Sequence, residues 1–272
     1  MKKFIFGAAA LMAMNFSFAQ TNIDLTAQIG NLNTATVDQT GILNTNALMQ
    51  SGNRNDADID QVGWTNSNVA LSMGNRNAID VEQWGLGNAN TTSQYGNRNS
   101  ATTLQIGWNN DVDQLQVGNR NEASATQLGG ENYISQNQDG RRNSATALQI
   151  GMDNEIWQDQ TGRRNEASAT QFGSDNYIHQ LQDGNDNSAT HIQLGDNNEA
   201  DSHQNGDDNT TMGLQVGNTN ILNQYQTGDS NMAMDAQLGN ENYTSVTQNG
   251  ESHFHLGLQA GNNNSLVVNQ SN

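Results

Sequence analysis

The sequence contains neither cysteine nor proline in its 272 residues. Without cysteine, the chain can form neither disulfides nor thiolate metal sites. Disordered chains are usually rich in proline, so its absence argues against a long unstructured linker. A proline-free chain suits a fold in which nearly every backbone N–H joins a β-ladder.

Positive charge and apolar residues are also scarce. Ten Lys and Arg stand against 28 acids, for a net charge of −18. Because phosphate binding needs clustered cations, this balance disfavours a nucleic-acid partner and suits a solvated, secreted particle. Apolar residues make up 33% and the mean hydropathy is −0.77, too little for a conventional core. No apolar run is long enough for a membrane span.

The first residues form a separate segment. A basic start, Met1–Lys3, precedes the mostly apolar stretch Phe4–Phe18, which ends in the small-x-small pattern of Ser17 and Ala19. This pattern predicts a secretory signal peptide at residues 1–19, cleaved after Ala19. The rest, residues 20–272, is predicted to be one repeat domain that is exported to the cell surface or beyond.

A lattice of glycines runs through that domain. From Gly30 to Gly261 every eleventh position is a glycine, without an insertion or a deletion. Gln lies two positions before each glycine except at Ser72, and Asn lies three positions after each except at His253. A disordered chain has no reason to hold such a register, whereas a fixed short period is the mark of a repeat array.

Residue parity predicts two strands per repeat. In one unit of the lattice Asn121, Ala123, Ala125 and Gln127 share a strand face, because side chains alternate along a strand. The next unit places the larger Ile134 on the equivalent face, and small and large units then alternate. The true period is therefore two units, twice the glycine spacing. We predict an all-β, parallel two-sheet β-solenoid of about 11 coils, each coil with two strands of about seven residues joined by four-residue turns.

Equivalent residues of successive coils should stack, so that Gln and Asn form amide ladders along the axis. Such ladders remove the cost of burying unpaired amides. The predicted ladder residues are Gln105, Gln116, Gln127, Gln138, Gln149, Gln160, Gln171, Gln182, Asn99, Asn110, Asn121, Asn132, Asn143, Asn154, Asn165 and Asn176. Glycine tolerates the positive φ angles of tight arches. The predicted arch glycines are Gly107, Gly118, Gly129, Gly140, Gly151 and Gly162.

The repeat unit, as in Gln116-Val-Gly118-Asn-Arg-Asn121-Glu-Ala123-Ser-Ala-Thr-Gln127, resembles the curlin repeat of curli subunits. The resemblance covers essentially all of residues 20–272. It implies an exported structural subunit that polymerises with itself into extracellular amyloid fibres of a biofilm matrix. It also implies a nucleator subunit and an outer-membrane export channel as partners, and assembly carried by the inward Gln and Asn ladders.

Open strand edges at the two ends of a solenoid favour end-to-end assembly, and the alternative is a soluble solenoid capped by loops. An apolar residue precedes every other glycine. These residues either form an outward ridge for lateral contact or fold inward to plug the core. The ridge residues are Trp84, Ile106, Leu128, Ile150, Phe172, Leu194 and Val216.

One turn position carries a charged column. Its arginines are Arg54, Arg76, Arg98, Arg120, Arg142 and Arg164, after which it holds Asp186 and Asp208. The column is either a solvated row of turns or an electrostatic bias for head-to-tail addition. Scattered outward acids, as in Asp56, Asp58 and Asp60, resemble gatekeepers against premature aggregation.

The competing class of function is a soluble secreted binding solenoid, either ice-binding or an adhesin. Ice binding needs a flat array of outward Ser and Thr, as at Ser100 and Thr102, but Glu122 and Glu166 interrupt that face. His253 and His255 do not complete a metal site, because no third ligand is clustered with them. No nucleophile–base set or phosphate loop is present, so we predict neither an enzyme nor a cofactor.

Overall fold

A computed structural model describes residues 21–272, all of which belong to strands and the turns between them, with no helix in that range. The signal peptide predicted at residues 1–19 lies outside the described residues. The strands form two parallel sheets of 12 and 11 strands, and successive strands alternate between the two sheets. The predicted fold, a two-sheet β-solenoid of about 11 coils with two strands in each coil, is confirmed.

The odd-numbered strands form the first sheet. They are β1 (Ile23–Asn31), β3 (Thr45–Asn53), β5 (Ser67–Asn75), β7 (Ala89–Asn97), β9 (Asp111–Asn119), β11 (Tyr133–Arg141), β13 (Glu155–Arg163), β15 (Tyr177–Asn185), β17 (Glu199–Asn205), β19 (Ile221–Thr227), β21 (Tyr243–Asn249) and β23 (Ser265–Ser271). Each strand pairs with the next odd strand exactly one coil further along the chain, as Gln138 pairs with Gln160.

The even-numbered strands form the second sheet. They are β2 (Thr34–Ile42), β4 (Asp56–Trp64), β6 (Ala78–Leu86), β8 (Ser100–Trp108), β10 (Glu122–Gly130), β12 (Ser144–Met152), β14 (Glu166–Ser174), β16 (Ser188–Leu194), β18 (Thr210–Val216), β20 (Met232–Leu238) and β22 (Phe254–Ala260). The same register holds here, as Gln127 pairs with Gln149.

The arches bring successive coils closer than a side chain would allow. Gly107 has a φ of 131°, and a Cβ added there would lie 1.8 Å from the carbonyl oxygen of Gly129 in the next coil. Two positions on, Asn109 takes the left-handed conformation with φ of 52°. Because only glycine has no Cβ, the first position of the arch is restricted to it.

Strand length differs from the prediction in the first two thirds of the chain. We predicted strands of about seven residues throughout, but β1 to β15 have nine and β16 to β23 have seven. Asn follows the glycine in several early coils as well, but there its side chain bonds to the next Asn side chain, as Asn75 does to Asn97. In the later coils the side-chain oxygen of the Asp or Asn at this position accepts the backbone N–H of the preceding coil, as Asp196 Oδ1 does from Ser174 at 2.9 Å. Side chains therefore replace ladder partners, and strand pairing ends two positions earlier.

The core between the sheets is thin and is filled in two different ways. In the middle coils the first sheet contributes Ile134, Ile156 and Ile178, while alanines such as Ala147 face them from the second sheet. This is the predicted alternation of small and large residues. In the earlier coils the large residues come from the second sheet instead, because β4 and β6 supply them, among them Ile59. Either arrangement fills the same narrow space.

The contact between arches makes a prediction with an internal control. Gly107→Ala should lower the free energy of unfolding by about 3 kcal/mol or more, because the new methyl group meets backbone of the next coil. Gly261 has a similar φ of 114°, but the nearest atom to its added Cβ is Asn264 Nδ2 at 3.5 Å. Gly261→Ala should therefore cost only the backbone strain, about 1 kcal/mol.

Urea denaturation of freshly purified monomer, followed by circular dichroism, measures both losses. Equal losses for the two variants would show that contact between coils is not what restricts the arch to glycine.

Candidate assembly site

The Gln residues before each arch form two ladders inside the solenoid, of which the second-sheet ladder is continuous. In the second sheet Gln105 Nε2 donates to Gln127 Oε1 at 2.9 Å, and Gln127 Nε2 donates to Gln149 Oε1 at 3.0 Å. The Gln127 Nε2 also donates to the carbonyl oxygen of Asp111 in the first sheet, at 3.0 Å. Each side chain thus bonds along the axis and across the core, which holds the two sheets together.

The Asn residues after the arches form two columns that bond differently. After the second-sheet arches the side chains form the predicted amide ladder, as Asn132 Nδ2 donates to Asn110 Oδ1 at 2.9 Å. After the first-sheet arches the bonds go to the backbone instead. Asn121 donates its backbone N–H to Asn99 Oδ1 at 3.0 Å. Its Nδ2 donates to the carbonyl oxygens of Val117 and Gly140, at 3.1 and 3.3 Å. The Asn side chain therefore satisfies arch carbonyls of its own coil and the next. Because each Asn needs a neighbouring coil, this network is also periodic along the axis.

All sixteen predicted ladder residues lie in the interior, with exposed fractions of 0 to 1%. The predicted ridge residues lie on the outside of the second sheet, beside its arches. Trp84, Phe172 and Leu194 are exposed, while Ile106, Leu128, Ile150 and Val216 are half-buried. None of the seven is among the buried side chains.

The one lattice position that lacks Gln leaves a gap in the first-sheet ladder. Ser72 is too short to reach its neighbours. Three buried polar atoms there have no hydrogen-bond partner: Gln50 Nε2, Ser72 Oγ and Gln94 Oε1. A buried unpaired donor or acceptor costs about 1–3 kcal/mol, so this coil contact is weaker than the others.

Replacing Ser72 with Gln should close the gap. Ser72→Gln supplies a donor for Gln94 and an acceptor for Gln50, and it should raise the free energy of unfolding by about 1–2 kcal/mol. The matched reverse change is Gln149→Ser, which opens the same gap in the middle of the second-sheet ladder and should lower that free energy. Urea denaturation measures both, and a loss of stability in Ser72→Gln would contradict this account.

A second inner ladder of Gln side chains is interrupted at one position and bridged there by a histidine, which the sequence reasoning missed. Gln158 donates to Gln180 at 2.8 Å, but the next equivalent position holds Ser202. His191 reaches across from the second sheet into this space. Its Nδ1 accepts from Gln180 Nε2 at 2.9 Å, and its Nε2 lies 3.0 Å from Gln224 Oε1. Burial lowers the pKa of His191 to about 4, so the neutral ring connects the two segments of the ladder.

Glycine makes room for this ring. A Cβ at Gly213, next to His191 in the second sheet, would lie 2.5 Å from the imidazole. The ladder then continues through a buried carboxylate, because Gln224 Nε2 donates to Asp235 Oδ2 at 2.8 Å. Asp235 Oδ1 lies 2.9 Å from His255 Nε2. His255 thus belongs to the interior network, whereas His253 Nε2 lies 3.2 Å from the carbonyl oxygen of Asn249.

The outer face of the first sheet carries a cluster of one histidine and two aspartates, which sequence reasoning also missed. His179 Nδ1 lies 3.0 Å from Asp201 Oδ1, and its Nε2 lies 3.9 Å from Asp159 Oδ2. The Asp159 and Asp201 carboxylates raise the pKa of His179 to about 9. This stabilisation is complete below the ordinary pKa of 6.5 and is lost as the pH rises through about 9. Within residues 21–272 no group of three acidic or His side chains could hold a metal ion.

All eight arginines of residues 21–272 lie at the ends of first-sheet strands or in the turns that follow them, and we name this side of the solenoid the arginine edge. Its arginines are Arg54, Arg76, Arg98, Arg120, Arg141, Arg142, Arg163 and Arg164. The same edge becomes acidic in later coils, beginning where Arg164 pairs with Asp186. The ridge residues lie at the opposite edge, beside the second-sheet arches.

The outward Ser and Thr residues of the second sheet do not form a flat array. Glu122 pairs in register with Ser100 on one side and with Ser144 on the other. A carboxylate thus separates the hydroxyls on neighbouring strands, and this observation disfavours the ice-binding alternative.

The two ends of the described solenoid have complementary unpaired groups. At the β1–β2 end, the Oε1 atoms of Gln28 and Gln39 accept no hydrogen bond within residues 21–272, although both side chains donate to the next coil. At the other end, Gln259 and Gln270 accept from the preceding coil. Within residues 21–272 no further coil accepts from their Nε2 atoms. One end therefore offers amide acceptors and the other amide donors.

These features define a parallel β-solenoid with amide ladders and open ends. Comparison with protein families is consistent with this class: a family model described as Curlin associated repeat matches residues 239–271. The match confirms the resemblance to the curlin-repeat family in a segment that contains three of the lattice glycines, and the same lattice continues back to Gly30. A search of curated proteins found no match. Residues 21–272 contain no helix long and apolar enough to cross a membrane.

Proposed function

We propose that this protein is an exported structural subunit that adds to copies of itself, end to end, to form a curli-like extracellular fibre of a biofilm matrix. The observation that carries the proposal is the unpaired amides at both ends of the solenoid. Except beside Ser72, the interior coils satisfy their Gln and Asn side chains through their neighbours, and another copy would do the same for a terminal coil. Open strand edges with such ladders act as templates for addition.

The register of the chain allows a continuous junction. If the next copy is turned by half a turn about the axis, its β1 and β2 pair with β22 and β23, and strands continue to alternate between the two sheets. Gln259 then meets Gln28, Gln270 meets Gln39, and Gly261 meets Gly30. Donors meet acceptors only in this head-to-tail order, because a junction of two like ends would oppose two donors or two acceptors. The ladders therefore give the fibre a direction.

Other features support export and control of assembly. The signal peptide pattern at residues 1–19 supports a secreted location. The resemblance to curlin supports an export channel and a nucleator subunit as partners. Outward carboxylates such as Asp58 keep the second-sheet face of the first coils charged, which slows premature association. The exposed ridge around Trp84 and Phe172 is suited to lateral contact between fibres, because exposed apolar rows usually mark interfaces.

The test uses seeded assembly of the purified protein, followed by thioflavin fluorescence and electron microscopy. Wild-type monomer should elongate preformed seeds into fibres. Gly261→Ala should abolish elongation, because its methyl group has room within one chain but would meet the Gly30 carbonyl of the added copy. A matched control is Ala260→Ser, an exposed change in the same coil that should elongate normally.

Two results would contradict the proposal at different points. Wild-type protein that stays monomeric with seeds present would exclude a fibre-forming function. Gly261→Ala protein that keeps its circular dichroism spectrum and elongates at the wild-type rate would exclude the head-to-tail register, because a methyl group cannot be accommodated at that junction.

A further inference from the structure

The arginine edge is a straight row of positive charge on a strongly acidic protein. Outside that edge, residues 21–272 contain no Lys or Arg. Each coil of the row contributes one rung, an arginine at the same turn position. Because neighbouring rungs lie one strand apart, successive guanidinium groups repeat at roughly 4.8 Å along the axis. The row extends over six coils from Arg54 to Arg164, and its side chains are exposed. A chain that carries cations only along one line has a surface specialised for anions.

The row has a defined shape. Arg76, Arg98 and Arg120 occupy the left-handed position of the turn, each with φ between 59° and 60°. Beside them runs an Asn ladder in which Asn75 Nδ2 donates to Asn97 Oδ1 at 2.8 Å. The Arg and Asn columns border an open groove of about 740 Å³. The repeated backbone conformation therefore presents each arginine in the same direction along this groove.

The positive charge of the row is largely uncompensated. Within residues 21–272 the only arginine paired with a carboxylate is Arg164, which contacts Asp186 at the acidic end of the row. Repulsion from Arg98 and Arg142 lowers the pKa of Arg120 below its ordinary value. Aligned like charges repel one another, and a bound anion would relieve that repulsion. No protein carboxylate pairs with the first five rungs, so their hydrogen-bond donors are free to bind an anion from another molecule.

We infer that the arginine edge binds a linear acidic polysaccharide, one carboxylate per sugar, laid along the solenoid axis. A guanidinium group binds a carboxylate through two parallel hydrogen bonds. The rung spacing is close to the length of one pyranose ring in an extended chain, so a chain laid along the row stays in step with the arginines, and the carboxylates on its groove-facing side can bind them. This inference goes beyond the proposed function, because the edge is complete in a single chain.

Duplex DNA fits the row less well. Its phosphates wind around the helix and advance about 3.4 Å per nucleotide along each strand, so a straight row meets only a few of them. The acidic faces on both sides of the edge would also repel a wide, highly charged duplex. A thin polyuronate chain can lie within the groove, away from those faces.

Binding should depend on the length of the polysaccharide. A single exposed guanidinium–carboxylate pair contributes little, but pairs linked in one chain act together. The row ends where Asp186, Asp207 and Asp208 take over the same edge. Affinity should therefore rise from two to six sugars and gain little beyond that.

The experiment measures fluorescence anisotropy of labelled α-1,4-galacturonate oligomers of two, four and six sugars with the purified protein. The hexamer should bind at least about tenfold more tightly than the dimer, and added salt should weaken binding. The variant Arg54→Asn, Arg76→Asn, Arg98→Asn, Arg120→Asn should lose at least about tenfold in affinity for the hexamer. Asn occupies the equivalent left-handed turn position at Asn109, so these changes preserve the arch.

A matched control has the same change in net charge at the opposite edge. It is Asn109→Asp, Asn197→Asp, Thr219→Asp, Asn263→Asp, at positive-φ turn positions, and it should bind the hexamer within about twofold of wild type because salt screens distant charges. Maltohexaose serves as the neutral probe. Equal losses in the two variants, equal binding of maltohexaose, or tighter binding of a short DNA duplex would overturn the inference.

A second copy of the chain is the other source of carboxylates, through the acidic part of its own edge. In that case the hexamer would not bind, and the wild-type protein would form salt-sensitive dimers that the arginine variant cannot form. Analytical ultracentrifugation detects such dimers, and this result would also overturn the inference. Fibre formation is scored separately, so failure of the proposed function leaves this test unchanged.

Discussion

The close approach of backbones at the arches is the constraint on which the rest of the structure depends. A side chain at Gly107 would collide with the Gly129 carbonyl, and the same holds at equivalent positions along the solenoid. Coils that approach this closely place equivalent residues directly over one another. Stacked Gln and Asn side chains then become each other's partners, which is how a chain with few apolar residues orders an interior. The glycine lattice sets the geometry, and the amides supply most of the specific bonds.

Side chains that find their hydrogen-bond partners through the repeat lose them at any position where the repeat is broken. Ser72 leaves unpaired amides on both sides, whereas Ser202 does not, because His191 reaches across the core to bridge the gap. The ends of the solenoid are the largest breaks, since Gln28 and Gln270 each lack one ladder partner. In our account, the need to satisfy terminal amides is what drives one copy onto the next. Fold and assembly therefore rest on the same interaction.

The sequence predicted the coil, the sheet pairing and the buried amides, because each depends on residues that recur at fixed spacing. It did not predict the longer early strands, because their length depends on whether a residue such as Asp196 captures a neighbouring N–H. It also missed the role of His191, whose partners Gln180 and Gln224 belong to the opposite sheet. A column read along one sheet does not reveal a side chain that crosses between sheets. The small residues Ser202 and Gly213 were the available signal for the role of His191. Each of them interrupts a column of the repeat, and the two interruptions are adjacent in space.

Covalent capture of the junction between copies tests the central claim most directly. The chain has no cysteine, so Ile23→Cys and Phe254→Cys proteins can be mixed, assembled and oxidised. In-register parallel neighbours lie about 4.8 Å apart, within the range that a disulfide spans. The account predicts dimers that join position 23 of one copy to position 254 of another, and few when Ile29→Cys replaces Ile23→Cys. Equal yields of like-with-like dimers, or fibres without the mixed product, would contradict it.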